Sequence, residues 1–211
     1  MRLAVIADDP LKEELLSTSP LSGVEWIWLT NIDELSTQQT VDAVIDLLFD
    51  NKEARINILK SFLPGPVIIN SVLYTLEEIN QPFIRINAWP TFLKRRIAEA
   101  VCNDAEGKVA GEEIFIAMGR KTEWVPDIAG FISPRIIAMI INEAYFALDE
   151  KVSSKEEIDT AMKMGTNYPL GPFEWAEKIG LNNVADLLNI LSRKEKRYQP
   201  APLLLKKAGV K

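Results

Sequence analysis

Histidine is absent from this 211-residue chain, and cysteine occurs once, as Cys102. Without imidazole, the side chain most used for acid-base work near neutral pH is missing, and so is every histidine-based triad or zinc site. One cysteine excludes an internal disulfide, and alone it offers neither a metal cluster nor a Cys-His nucleophile, so it reads as a small buried hydrophobe. No metal is expected. Long apolar runs are also lacking: the longest, IIAMII at 136–141, falls far short of the roughly eighteen residues of a membrane helix. The apolar N-terminal stretch meets Asp8 and Asp9 too soon to be a signal peptide. A cytoplasmic protein that engages no membrane is expected. A last absence is local: the polar turn after the first apolar run, ADDP at 7–10, contains no glycine.

What is present suits a globular chain. Apolar residues make up 47% and charged residues 26%, a balance that can fill one large core or two modest ones. The net charge is −6, unevenly spread. Residues 193–211 hold seven of the 24 basic residues and one of the 30 acidic ones, which leaves the body at −12. An acidic body repels nucleic acid, and a short basic tail without interleaved aromatics does not bind it; the tail is read as solvated, against its own acidic body.

Two textures divide the chain, one over 1–127 and one over 128–211. The first alternates short apolar runs with helical stretches, the pattern of an α/β domain with a parallel sheet. LAVIA, VEWIWL, DAVIDLL, PVIIN and PFIRINAW are its strand candidates. DPLKEELLST, NKEARINILKSFL and AGEEIFIAMGRK are its helices, the second closed by Pro64-Gly65-Pro66. Asp8 and Asp9 read as an N-cap pair, with Pro10 at the first helical position. From Phe131 the pattern is all helical. Ile136, Ile137, Ile140, Ile141, Ala144, Tyr145 and Leu148 recur at three- and four-residue steps, an apolar face broad enough to predict packing against a second subunit. Ser154 and Glu157 form a capping box for the next helix, and Gly165 is placed to end it.

Residues 130–181, GFISPRIIAMIINEAYFALDEKVSSKEEIDTAMKMGTNYPLGPFEWAEKIGL, resemble the C-terminal domain of the 3-hydroxyacyl-CoA dehydrogenases. That family has a G-F-I-x-N-R helix start, a long helix bearing N/L-E-A, and then E-D-I-D-x-A-M-x-x-G-x-G-Y-P-M-G-P-F-E. The tail KRYQPAPLLLKKAG is similar to the segment that follows. More faintly, VDAVIDLLFDNKEAR resembles A-D-x-V-I-E-A-x-x-E-x-x-x-x-K, and VIINSVLYTLEEI resembles I-x-A-S-N-T-S-S-L-x-I-x-E-I. The resemblance implies a degenerate Rossmann-like domain, shortened relative to the family's NAD-binding domain, followed by an all-α C-terminal dimerisation domain.

It also implies where the family's chemistry would fall. Laying PFIRINAWP on R-F-x-G-x-H-F-F-N-P puts Asn87 at the acid-base histidine and Glu99, twelve residues on, at its partner glutamate. An amide can hydrogen-bond a carbonyl but cannot take a proton. Val72 falls at the catalytic serine, with Ser71 one residue away, and Pro134 stands where the family has asparagine. Without its histidine, Glu99 reads as an exposed carboxylate beside Arg95 and Arg96. The three glycines of the phosphate loop fall on Ala7, Asp9 and Lys12, and the acidic residue that would hold a ribose is replaced by Leu29 and Thr30. Trp26 and Trp28 alternate along one strand as core packing, Trp89 and Trp124 as packing near the junction of the two textures, and Glu174 and Trp175 as helix packing.

The expected protein is therefore a catalytically impaired family member, a homodimer acting as an acyl-CoA- or protein-binding module without a cofactor. Two alternatives stand beside it. One is an active NAD-dependent oxidoreductase on a 3-hydroxyacyl-CoA such as 3-hydroxybutyryl-CoA, with Glu99 as base. The other is an oligomerisation partner of a full-length relative.

Overall fold

The computed structural model of the chain describes residues 1–37 and 40–210, and the backbone divides into two compact units, Met1–Phe131 and Ile132–Lys211. The first unit holds strands β1 (Arg2–Ile6), β2 (Glu25–Leu29), β3 (Ala43–Asp46), β4 (Val67–Asn70), β5 (Ile84–Ile86), β6 (Ile97–Val101) and β7 (Lys121–Trp124). They form one sheet in the order β2-β1-β3-β4-β5-β6-β7. β1 to β5 are parallel, β6 runs antiparallel to β5, and β7 is parallel to β6. The central strands are continuously apolar and buried, Leu3 to Ile6 completely so, as parallel strands covered on both faces must be. Helices α1 (Asp9–Leu16), α2 (Glu53–Lys60), α3 (Leu76–Ile79) and α4 (Ala105–Ala117), with a 3-10 helix at Ile32–Thr37, join the strands. Leu11 and Leu15 of α1 and Ile114 and Phe115 of α4 join one apolar cluster with Leu3, Val5, Ile45 and Ile86.

Local chemistry explains the boundaries. Asp8 alone caps α1, accepting the Leu11 N–H at 3.0 Å, while Asp9 is the first helical residue and Pro10 the second. Proline costs nothing there because first-turn amides have no intrahelical partner. α4 begins five residues before the apolar periodicity does, because Asp104 caps it at Gly107. Its early end at Ala117 frees Lys121–Trp124 for the edge strand β7.

The second unit contains α5 (Ser133–Asp149), α6 (Lys155–Thr166), α7 (Pro172–Ile179), α8 (Leu181–Ser192) and α9 (Pro202–Ala208). Packing of α5 corrects the expectation drawn from its apolar face. Ile137, Ile141 and Tyr145 are buried by the chain's own α7, α8 and α9, with Tyr145 edge-to-face on Phe173 at 5.1 Å. These residues need no second subunit to cover them. The exposed large apolar residue of α5 is Ile136, at 54%, with Ile132 just ahead of it at 50%.

α6 has its capping box: Ser154 accepts the Glu157 N–H, and Glu157 returns to the Ser154 N–H at 3.2 Å. Gly165 does not end it. The helix runs one residue further, and Asn167 at φ 55° supplies the left-handed cap, a conformation asparagine tolerates. The GPFE stretch acquires a physical reason. Asp159 accepts the Phe173 N–H at 2.8 Å and Glu174 the Gly171 N–H at 2.9 Å, so two carboxylates satisfy the start of α7. A Cβ on Gly171 would run into the Asp159 carboxylate, which leaves glycine as the residue that fits. Buried Asn142 ties the C-terminal segment down, donating to Gln199 O at 2.9 Å and accepting from Ala201 N–H at 2.7 Å.

Candidate active site

The ladder between β4, β5 and β6 sets three polar residues side by side. Asn87 N–H donates to Glu99 O at 3.2 Å, and Ser71 N–H donates to Ile86 O at 3.2 Å, so Ser71, just past β4, Asn87, just past β5, and Glu99, at the middle of β6, form one row. The Asn87 amide is held at both ends: Nδ2 donates to Glu99 Oε2 at 3.3 Å, and Oδ1 accepts the Trp89 N–H at 3.3 Å. All three row residues are buried. Glu99 is thus not the exposed carboxylate beside Arg95 and Arg96 that the sequence suggested. It lies on β6, where its carboxylate accepts from Asn87.

One side of Asn87 faces a small cavity. A cavity of about 10 Å³ is lined by Asn87, Ile86, Phe92, Leu93 and Arg120 among others, room for one water at most. Arg120 is locked in its wall, donating to the carbonyls of Met118, Leu15 and Leu93. Burial pulls its pKa down to about 10, opposed by the Glu14 charge. Glu14 itself takes the Thr91 N–H with both carboxylate oxygens at 2.8 Å. These bonds pin the segment between β5 and β6 against α1.

Two further positions carry no polar side chain. Val72 is buried, and its carbonyl accepts the Gly130 N–H at 2.7 Å; its side chain offers no hydroxyl. Ser71, the neighbour, is the hydroxyl that reaches the row, although its Oγ donates to Tyr74 O at 3.0 Å. Pro134 is buried in the first turn of α5 in the second unit. Within the first unit the sheet brings Asn87, Glu99 and Ser71 together, and Val72 contributes its backbone.

The turn after β1 can be tested against a dinucleotide. β1 lies between β2 and β3, so the chain leaves its C-terminal end to opposite sides, the switch point where open α/β sheets bind ligands. Ala7 is buried and its N–H donates to Leu29 O at 3.0 Å. Asp8 and Asp9 are exposed there, and the Leu11 N–H is already taken by Asp8. Lys12 turns to Trp28, its Nζ 4.9 Å over the ring. On the other side of the switch point, Asp46 at the end of β3 is fully buried in a bidentate ion pair with Arg55, both bonds 2.6 Å. Two carboxylates and a spent amide do not fit a pyrophosphate in the glycine-loop mode.

Two features of this unit escaped sequence reasoning. One is the Asp46–Arg55 pair, signalled only by an acid inside an apolar run and a base nine residues on. The other is Arg85, wholly buried on β5, which donates to Asp127 Oδ1 at 2.7 Å and Ile128 O at 2.8 Å and stacks over Phe131. Burial lowers its pKa to about 10, against the charges of Asp127 and Glu78. Among the described residues no cluster suits a metal ion, and no helix is long and apolar enough to cross a membrane.

Residues 130–209 match the family model of the 3-hydroxyacyl-CoA dehydrogenase C-terminal domain. The chain is 41% identical over 92 residues to the 3-hydroxyadipyl-CoA dehydrogenase of Escherichia coli, a match covering 43% of this chain and 19% of that protein. It is 32% identical over 123 residues to a 3-hydroxybutyryl-CoA dehydrogenase of Bradyrhizobium diazoefficiens, covering 57% of this chain and 42% of that one. A longer alignment, 29% identical over 202 residues, joins it to a probable 3-hydroxybutyryl-CoA dehydrogenase of Bacillus subtilis, covering 84% of this chain and 70% of the relative. The chain thus spans less than half the length of the first two relatives. In fold it is similar over 99% of its length to the crystal structure of (S)-3-hydroxybutyryl-CoA dehydrogenase from Ralstonia eutropha, of which 93% is covered, with a TM-score of 0.73 at 19% identity.

Proposed function

We propose that the chain is a non-catalytic member of the 3-hydroxyacyl-CoA dehydrogenase family, a homodimer that binds acyl-CoA or a protein partner without turning over substrate or holding NAD. The observation that carries this reading is Asn87. By the sequence resemblance it takes the acid-base position, and its amide, bonded to Glu99 and to the Trp89 N–H, has no proton to give or take near neutral pH. Loss of an acid-base group costs about a hundredfold to ten-thousandfold in rate. Asp8 and Asp9 add a second barrier by setting negative charge where a pyrophosphate would sit.

The test is a titration of NADH fluorescence, with acetoacetyl-CoA then added to the same cuvette. The expected result is no saturable change and no consumption of NADH. Restoring histidine at Asn87 rescues nothing alone, since the cofactor seat is still missing. A second reading, favoured by the burial of Glu99, makes that carboxylate a general base in an active enzyme. It predicts saturation in the micromolar range and turnover that vanishes in Glu99→Gln, and that pair of outcomes would falsify the non-catalytic reading.

For the dimer, the supporting surface is the outward side of α5, where exposed Ile136 stands beside Met139 and Ile140 along a groove closed by Arg135, Arg197 and Tyr198. Ile136→Glu should yield monomers in sedimentation. A monomeric unmodified protein at micromolar concentration removes this interface.

A further inference from the structure

The open edge of the sheet carries an interaction surface of its own. Bonds from Glu25 N–H to Met1 O and from Ala7 N–H to Leu29 O fix which residues of β2 face β1: the odd-numbered ones. Trp26 and Trp28 lie at even positions and therefore turn both N–H and C=O outward, on the side where the sheet order ends. Such an edge is a template for another strand, and proteins that keep it single blunt it with lysine, proline or a bulge. β2 has none of these. VEWIWLTN, residues 24–31, contains no proline and no basic residue, and all five residues of β2 pair in unbroken register with β1. The two indoles are half-buried and stacked at 5.4 Å with planes 12° apart, so they form a rigid apolar strip along one face of the edge.

We propose that β2 pairs antiparallel with β2 of a second copy of this chain, about a two-fold axis at Ile27. That register is self-complementary. Trp26 of each copy exchanges both backbone bonds with the partner's Trp28, and the four indoles continue one stack across the axis. Charge selects the antiparallel sense. Arg2 lies at the Glu25 end of the edge, whereas exposed Asp33 and Glu34 follow Leu29 at the other end. Arg2 is paired there with Glu25 and the N-terminal amine with Asp42, so that end is near neutral; the two-fold sets it beside the partner's acidic end, while parallel pairing would stack acid on acid. Glu25 is the one ionisable residue within β2, and it faces the partner's neutral Leu29.

The decisive variant is Ile27→Cys. At the axis the two Ile27 residues form a non-hydrogen-bonded pair with Cα atoms about 4.5 Å apart, within disulfide reach. Oxidation of the full chain should convert most of it to a covalent dimer that reductant reverses. The unmodified protein, with buried Cys102, should give none. Glu25→Cys is a more exposed position, but its copies lie well over 7 Å apart in this register and should stay unlinked. Ile136→Glu in the Ile27→Cys background should leave the cross-link intact, which separates this contact from the helical one. In the unmodified protein, exchange of the Trp26 and Trp28 amides should slow by roughly tenfold or more as concentration rises. The proposal is overturned if Ile27→Cys stays monomeric, if Glu25→Cys links equally well, or if those amides exchange at a rate independent of concentration. An edge strand occupied instead by an unrelated peptide would give the first of these results.

Discussion

Replacing Ile141 with glutamate is expected to unfold the helical unit. Ile141 is fully buried at the middle of the α5 stripe, with Ile137, Ala138 and Tyr145 as its buried neighbours on the helix and α7, α8 and α9 packed against it. The buried stripe of α5 holds no basic side chain to pair with a carboxylate, so the substitution either buries an unpaired charge or forces α5 away from its partners. The cost should exceed about 4 kcal/mol, a large part of the roughly 5–15 kcal/mol that holds a domain together. Ile136, five residues earlier on the same helix but 54% exposed, should tolerate glutamate within about 0.5 kcal/mol and change only association. Urea unfolding followed by circular dichroism separates the two variants. If Ile141→Glu retains its transition midpoint, the packing of α5 described above is wrong.

That contrast marks where sequence reasoning about the helical half succeeded and where it failed. Spacing located α5, and the S-x-x-E pair located the start of α6, because both are local signals whose physics is complete within a few residues. Which neighbour covers an apolar face is not local. The same periodicity of Ile137, Ile141 and Tyr145 serves a face buried by α7 to α9 as well as one buried by a second chain. Gly165 failed for a related reason: glycine permits a left-handed cap without requiring one, and Asn167 two residues later supplied it.

In the first unit, strands buried on both faces announced themselves as apolar runs, and five of the seven were legible. β6 was not, because Glu99 interrupts an already short run. The acid that hides the strand is the residue that gives it interest. The twelve-residue spacing between Asn87 and Glu99 did carry the contact, since an antiparallel return from β5 to β6 sets those two positions opposite each other. Ser71 reached the row through the parallel register of β4, which no local pattern fixes to within one residue. The charged pairs were the least legible. Asp46 and Arg55 meet because a parallel strand ends where α2 begins, and Arg85 and Asp127 meet across 42 residues of chain.

The Asp46–Arg55 pair yields the second large effect, through Arg55→Met. Asp46 has no exposed side-chain surface and Arg55 14%, and the carboxylate also accepts the Leu48 N–H at 3.0 Å. Burial raises the Asp46 carboxyl above the ordinary carboxylate range, while the hydrogen bonds and charge of Arg55 pull it back. Methionine fills a similar volume but removes both restraints, leaving a buried carboxylate whose folded pKa moves further up. Breaking a buried pair from one side costs about 3–5 kcal/mol. The sign of the pH dependence follows from linkage: a carboxyl with a raised folded pKa takes up a proton on folding, so its penalty is full above that pKa and shrinks as pH falls through it. Arg55→Met should therefore be strongly destabilised at about pH 7 and recover a substantial part of the loss by about pH 5, relative to the unmodified protein at each pH. Adding Asp46→Asn to Arg55→Met removes the titrating group and should abolish that recovery while restoring stability at neutral pH, because no charge is left buried. Urea midpoints for the three proteins at the two pH values decide the matter. A deficit in Arg55→Met that is equal at both would mean that Asp46 reaches water once its partner is gone, and that the switch point of the sheet is open rather than closed by this pair.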